Sequence, residues 1–253
     1  MTRKDRLLFP VSVVIITKNE EVNIEDALKS IADAQEIVVV DSFSTDRTVE
    51  ICRKYTDKVY QHEWQGFARQ KQTAVDYAEG PWVLILDADE RVTPELKSEI
   101  LKNISGTDID GFYMPRENYF IGKRIRHGGW WPDHTLRLFK KDRGKLGPRE
   151  VHEKVVVEGS TGYLKHPLRH HTYRSVSDFV ERMERYSTLA AQEIRRESGC
   201  AGLFSLMIKP PVTFIKMYFL RFGLLDGTRG FMLAVLYSFY TFLKYAKTWE
   251  KQD

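Results

Sequence analysis

The chain of 253 residues is 42% apolar and 29% charged. That balance excludes wholesale disorder and permits one large core that needs no disulfide or structural metal to hold it. The formal net charge of +4 hides an asymmetry: residues 1–110 carry 14 Lys and Arg against 21 Asp and Glu, whereas residues 111–253 carry 25 against 14, a split that implies an acidic task and a basic one facing phosphates, an anionic membrane or nucleic acid.

The opening MTRKDRLLFP reaches a proline after three apolar residues, so no signal peptide is expected. Val11–Thr17 is rich in β-branched residues and predicts a strand buried on both faces. Glu36–Asp41 and Trp82–Asp87 repeat that pattern, and Asp57–Gln61 is a shorter candidate. Helices are predicted between them. The first spans Glu21 to Ala32, with Ile24, Leu28 and Ile31 on one face. A second follows Ser44-Thr45-Asp46, and a third covers Phe67–Ala78 before Gly80-Pro81. Thr93-Pro94-Glu95 opens a fourth, with Thr as N-cap and Pro at the first helical position. This alternation is the grammar of an open, mostly parallel α/β sheet with flanking helices. Ligands of such sheets lie beyond the carboxyl ends of the strands. Here those ends read Thr17-Lys18-Asn19-Glu20, Asp41-Ser42 and Asp87-Ala88-Asp89-Glu90.

Residues 111–175 mix aromatic, Gly and basic residues and predict short strands and loops, which sets a first domain at 1–175. Ser177 is expected to cap a long helix over Asp178–Glu197, Gly199–Gly202 to break it, and Pro210-Pro211 to start another. Leu224–Gly230 is a Gly-rich joint before a final helix, Phe231–Trp249. Together these make a C-terminal amphipathic helical extension, 176–253. Its longest uncharged apolar run, Phe231–Leu243, is 13 residues, short of a bilayer span, so no transmembrane segment is expected. Apolar and aromatic residues between 204 and 249, flanked by Lys and Arg, fit a helix lying in a membrane interface as well as an oligomer core or a cover for the sheet. Cys52 and Cys200 are too far apart for a CxxC motif and suit free thiols in a reducing compartment.

Asp87 and Asp89 flank a small residue just past a buried strand, a placement that suits either a solvated strand end or a hard divalent cation held against a diphosphate. Asp41 either caps the turn that follows it or accepts from the imide N–H of a uracil ring. Thr17 to Glu20 admit a helix entry or contacts to a nucleoside. His152, His166, His170 and His171 are close in sequence and could serve a metal or phosphate, although no fixed ligand spacing relates them. Neither GxGxxG nor GxxxxGK[ST] occurs, which removes the main support for dinucleotide and P-loop readings.

The stretches VSVVIITKNEE, IVVVDSFSTDRT, ARQKQTAVDYAEG and WVLILDADE together resemble the nucleotide-sugar domain of glycosyltransferase family 2, the GT-A fold, over residues 10–160. Trp131-Pro132-Asp133, Arg137-Leu138-Phe139, Val151-His152-Glu153, His170-His171-Thr172-Tyr173 and the tail segment GLLDGTRG are similar to those of bacterial lipopolysaccharide core β-1,4-glucosyltransferases. The resemblance implies that Thr17, Glu20 and Asp41 hold uridine and that Lys71 lies beside the nucleotide. It further implies that Asp87 meets ribose or metal, that Asp89 binds a divalent metal (Mg or Mn) bridging both phosphates, and that His170 is a late metal ligand. Lys71-Gln72 stands where the family usually carries Arg-Asn. Inverting transfer needs a carboxylate to take the acceptor proton; Glu153 is the first choice and Asp133 the reserve.

The leading expectation is therefore a metal-dependent, inverting transferase that moves glucose from a UDP-sugar to a lipopolysaccharide core acceptor, a lipid-linked glycan. It would work as a peripheral protein on the cytoplasmic face of the inner membrane, against an anionic surface, with no nucleic acid partner and an oligomer open. The alternatives are a polyprenyl phosphate or capsule glycan acceptor, and, in another class, a basic nucleic-acid-binding module.

Overall fold

The computed structural model describes residues 9–147, 154–198 and 202–250. The chain forms two compact units that interleave in sequence: residues 1–116 with 134–170, and residues 117–133 with 171–253.

The first unit is built on three β-branched strands, β1 (Phe9–Thr17), β2 (Ala34–Asp41) and β4 (Trp82–Ile85), with the short β3 (Val59–Gln61) at the edge. These four run parallel in the order β3-β2-β1-β4. Side chains alternate across a strand, so each strand serves two cores. Val13, Ile15, Val39 and Leu84 pack on one face with Ile24 and Leu28 of α1 (Ile24–Ser30) and with Leu96 and Ile100 of α4 (Pro94–Ile104). Val14, Val38, Val40, Val83 and Ile85 pack on the other with Ala74 and Val75 of α3 (Phe67–Tyr77). Both faces being covered is the reason these strands read as continuous apolar runs. Thr93 caps α4 by accepting from the Leu96 backbone N–H at 3.1 Å, as its sequence position predicts. The first helix is shorter than the predicted Glu21–Ala32, because residues 17–21 are tied to the loop after β2. A five-residue helix, α2 (Thr48–Cys52), follows that loop.

Past β4 the pairing is mixed, and antiparallel pairs dominate. β5 is Glu90–Val92, and among the strands that follow are β6 (Gly111–Phe120), β7 (Lys123–Arg124), β8 (Asp133–Lys140), β9 (Gly144–Leu146), β10 (Val155–Val157), β11 (Thr161–Tyr163) and β12 (Leu168–Tyr173). The sheet continues from β4 through β8, β6 and β12 to β5. β4 pairs with β8, and β12 with β5, in antiparallel register, whereas β11 joins β6 in parallel. β5 lies outside the sequence prediction: three residues are too few to show a period.

The second unit gathers Phe120, Ile125, Trp130, Tyr173, Phe179, Met183 and Leu233 into an aromatic core of its own. Its helices are α5 (Val176–Ser198), α6 (Leu203–Ile215) and α7 (Thr228–Glu250). The N-terminal cap of α5 is the hydroxyl of Ser175, which accepts from the Asp178 N–H at 3.0 Å, and not Ser177 as the sequence predicts. α6 starts seven residues before Pro210-Pro211 and runs through them. Each interior proline removes an N–H bond and crowds the carbonyl four residues earlier, those of Leu206 and Met207; the helix persists because it packs on α7, to which Ser238 ties it by donating to the Pro210 carbonyl at 2.8 Å. A π-helical turn (Lys216–Leu220) continues α6, Phe222 adopts a left-handed conformation, and a short 3-10 turn (Gly223–Asp226) leads into α7. The Gly-rich joint is needed for close approach: a Cβ on Gly230 would lie 1.9 Å from the Gly223 carbonyl oxygen. Leu203–Leu220 is long and apolar enough, by length and composition, to cross a membrane. No uncharged run marks this stretch in the sequence, because Lys209 and Lys216 interrupt it.

Candidate active site

β2, β1 and β4 are neighbours in the sheet, so their carboxyl ends bring three polar clusters side by side. Thr17 and Asp41 are register partners, and the Thr17 hydroxyl donates to Asp41 Oδ1 at 3.0 Å. Asp41 is fully buried. It also accepts from the Ser44 backbone N–H at 2.8 Å, the Ser44 hydroxyl and Gln61 Nε2 at 3.3 Å. It thus organises its own turn, as the turn-capping alternative expects. Glu20 donates its backbone N–H to Thr48 Oγ1 and accepts from Asn23 Nδ2. Asn19, with φ +54°, receives the Thr45 N–H and gives its own to Ser44 Oγ. The loop after β1 is stitched to the loop after β2.

At the end of β4, Asp87-Ala88-Asp89-Glu90 closes into a tight turn. The Glu90 N–H donates to the Asp87 carbonyl, and the Asp87 N–H donates to Glu90 Oε2 at 3.0 Å. Lys71 sits on the buried face of α3, with Ala68, Ala74 and Val75, where an ammonium must be paired. Its Nζ lies 2.9 Å from Asp87 Oδ1. Arg137, from β8, bonds Asp87 Oδ2 and reaches Glu90 Oε1 at 3.1 Å. Arg116 lies 3.8 Å from the same Glu90 oxygen. Burial pushes the Asp87 carboxyl up, but the Arg137 and Lys71 charges outweigh it and hold the group well below the usual carboxylate range. Lys71, Tyr113, His134, Arg137 and Lys154 are among the residues that line a cavity of about 160 Å³ beside these groups.

Asp89 is buried, and His170 Nε2 lies 3.4 Å from its Oδ2, because the antiparallel β12–β5 register sets His170 opposite Glu90. Among the described residues no three His, Cys, Asp or Glu side chains gather as a metal-ligand group. Asp87, Asp89 and His170 therefore do not form a three-ligand cage. A small hard cation does not require one, since it commonly takes one or two protein ligands and completes its shell with phosphate and water oxygens. A carboxylate oxygen suits magnesium and manganese alike. The Asp89–His170 pair fits such an ion.

The remaining histidines do not gather: His166 pairs with Glu99 at 2.8 Å, and His171 stacks on Tyr119. Asp133 belongs to the second unit, where its Oδ2 accepts from Asn118 Nδ2 at 3.4 Å. Glu153 and His152 lie outside the described residues. Gln72 accepts from the Leu146 N–H at 2.9 Å and donates to Asp76 Oδ1 at 2.8 Å, whereas its neighbour Lys71 pairs with Asp87. Sequence reasoning gave no role to Glu90, Arg116 or Arg137. Arg137 stands within the Arg137-Leu138-Phe139 block, but its carboxylate partners are 47 and 50 positions away.

The glycosyl transferase family 2 model matches residues 12–171, which takes in every element of this site. The chain belongs to glycosyltransferase family 2. It is 31% identical over 256 residues to the lipopolysaccharide core biosynthesis glycosyltransferase LpsC of Rhizobium meliloti (strain 1021), an alignment spanning 96% of this chain and 93% of that one. It is 29% identical to an uncharacterized glycosyltransferase of Rickettsia typhi, spanning 94% and 86%. Among solved structures, the mannosyltransferase PcManGT of Pyrobaculum calidifontis in complex with GDP-Man and Mn2+ superposes with a TM-score of 0.50 at 17% identity, covering 96% of this chain and 88% of that one. S. aureus TarS 1-349 in complex with UDP gives 0.50 at 18%, covering 94% and 89%. The family 2 chain is thus a glycosyltransferase with a GT-A-like α/β fold and a set of C-terminal helices.

Proposed function

We propose that this glycosyltransferase moves glucose from UDP-glucose to a sugar of the lipopolysaccharide core, with inversion and with a divalent cation. The observation that carries the reading is the juxtaposition of three polar strand ends, with Asp89 and His170 paired beside the Lys71–Asp87–Arg137 cluster. The name of the Rhizobium relative supports the acceptor class, and the UDP held by TarS supports the donor. Thr17, Glu20 and Asp41 would meet the uridine, with the long Gln61 bond to Asp41 the one most easily yielded. Asp89 and His170 would hold the cation, Mg2+ or Mn2+, and Asp87 would meet the ribose or that ion. A bound cation supplies charge neutralisation to the departing diphosphate.

Lys71 and Arg137 are buried cations already aimed at one carboxylate, so they can share their charge with a diphosphate at no cost of reorganisation. In the transfer, the bond from the sugar's anomeric carbon to the phosphate oxygen breaks as the acceptor oxygen bonds from the opposite face. The acceptor proton passes to Glu153, with Asp133 as the alternative base. A core acceptor anchored in lipid would be met by a peripheral protein on the cytoplasmic face of the inner membrane, which is the location this reading takes. The test is turnover of a panel of UDP-, GDP- and dTDP-sugars with truncated core acceptors. The reading expects UDP-glucose to dominate and EDTA to abolish transfer. Preference for a GDP-sugar, or full turnover in EDTA, would overturn it.

A further inference from the structure

We infer that the outer face of the α6–α7 hairpin is a docking surface for an anionic lipid bilayer, lying in the membrane interface without crossing it. The inference deepens the proposed function and rests on it only for the choice of leaflet.

The first observation is a continuous apolar exposure. Along α6 and its π-helical continuation, Phe204, Met207, Ile208, Val212, Ile215 and Phe219 recur at three- and four-residue spacing and are all exposed, with Phe204 74% accessible. At the turn, Leu220, Phe222 and Leu225 are exposed at 60–70%. On α7, Phe231, Val235 and Phe242 mark the outward face at i, i+4 and i+11, while Gly230, Leu233, Ala234 and Thr241 are buried. A face this large on a folded chain marks an interaction site.

The second observation is charge. Between Gly202 and Trp249 the sequence holds six cations, Lys209, Lys216, Arg221, Arg229, Lys244 and Lys247, and one acid, Asp226. That acid is buried and spent, accepting the backbone N–H of His127 at 2.8 Å and that of Arg126. Glu250, the last residue of α7, is the one exposed acid the described hairpin carries, so its surface is apolar and predominantly cationic, which is complementary to anionic headgroups and not to a second copy of itself. Lys209, Lys216 and Arg221 are exposed and sit among the apolar residues, where long stems let ammonium and guanidinium groups reach headgroups while the rings enter the acyl boundary. Tyr240 and Tyr245 lie under the Lys244 ammonium at 5.7 and 5.1 Å, the aromatic–cation mixture favoured at membrane interfaces.

Crossing is disfavoured by the same residues. A span from Leu203 to Leu220 would bury Lys209 and Lys216 in hydrocarbon together with the carbonyls freed by Pro210-Pro211.

The test is cosedimentation of the full chain with phosphatidylcholine vesicles, with and without about one-third phosphatidylglycerol. Binding is expected to require the anionic lipid, to weaken at high salt, and to fall about fivefold for each of Lys209→Gln, Lys216→Gln and Arg221→Gln. Phe204→Glu with Leu220→Glu changes only exposed positions and should abolish binding while far-UV circular dichroism and donor-sugar hydrolysis persist. Equal binding to neutral vesicles, salt-insensitive binding, or retention in reconstituted membranes after alkaline carbonate would each overturn the proposal. So would a dimer in sedimentation velocity that the double Glu variant dissolves, with wild-type protein ignoring vesicles. Failure of the donor assay alone would overturn the proposed function and leave this surface standing.

Discussion

The two units dispose of their difficult residues in opposite ways. The first buries charge: Lys71, Glu90 and Arg137 are buried and form a paired cluster with the half-buried Asp87 at a strand end, with Glu90 wholly inaccessible. Among its described residues the large apolar side chains left exposed are scattered, at Val22, Phe43, Trp64, Val156 and Tyr163. The second exposes a run of large apolar residues from Leu203 to Trp249 and keeps its cations at the surface. Buried charge is expensive unless fully paired, and exposed apolar surface is unfavourable in water. The contrast is what the two proposals draw on: a site for charged ligand groups in the first unit and a docking surface in the second.

The sharpest way to break the first half of that comparison is at the chemistry. Glu153→Gln keeps size and removes charge, and turnover should fall about 10²–10⁴-fold with UDP affinity unchanged. If Asp133→Asn is inactive and Glu153→Gln is not, the base is Asp133.

The next largest effect concerns the cluster itself. Arg137→Met leaves Asp87 and Glu90 without their shared partner, so it should destabilise the protein by about 3–5 kcal/mol, read as a lowered urea midpoint. The sign with pH follows from Asp87, whose folded pKa is depressed. Its ionised form contributes stability fully above its unfolded value of about 3.9, and that contribution is lost as pH falls through the folded value. The gap between wild type and Asp87→Asn should therefore be flat from pH 5 to 8 and narrow below about pH 4. A gap that widens in acid would show that Asp87 is not held as a paired anion.

A smaller effect separates the two readings of Asp41. Asp41→Ala should lower stability and weaken UDP binding by about 1–3 kcal/mol, the second measured by calorimetry. Lowered stability with unchanged UDP affinity would leave Asp41 a turn residue alone.

What the sequence made legible followed local pattern. The β-branched runs of β1, β2 and β4 and the Thr93-Pro94 start of α4 announce themselves because both faces of the sheet are covered and because a hydroxyl caps a helix. Asp89 and Asp87 were found because they follow a strand. The partners of those acids were not, since Arg137 reaches Asp87 and Glu90 across 50 and 47 positions and only the antiparallel entry of β8 beside β4 brings them together. In the helical unit, reading Pro210-Pro211 as a start hid the first turns of α6, because packing outweighed the local penalty of proline. The apolar run of the tail was visible, whereas its outward face became visible only once α6 and α7 were paired.

Under the proposed function, Asp89 is the point where a divalent cation and the donor diphosphate would meet the protein. The most direct measurement is calorimetric titration of UDP-glucose into wild-type protein and Asp89→Ala, each with Mn2+ and with EDTA, after circular dichroism has established that both are folded. Binding by the wild type that requires Mn2+, and no binding by folded Asp89→Ala, is the predicted result. Equal affinity in EDTA, or metal-dependent binding that survives in Asp89→Ala, would contradict it.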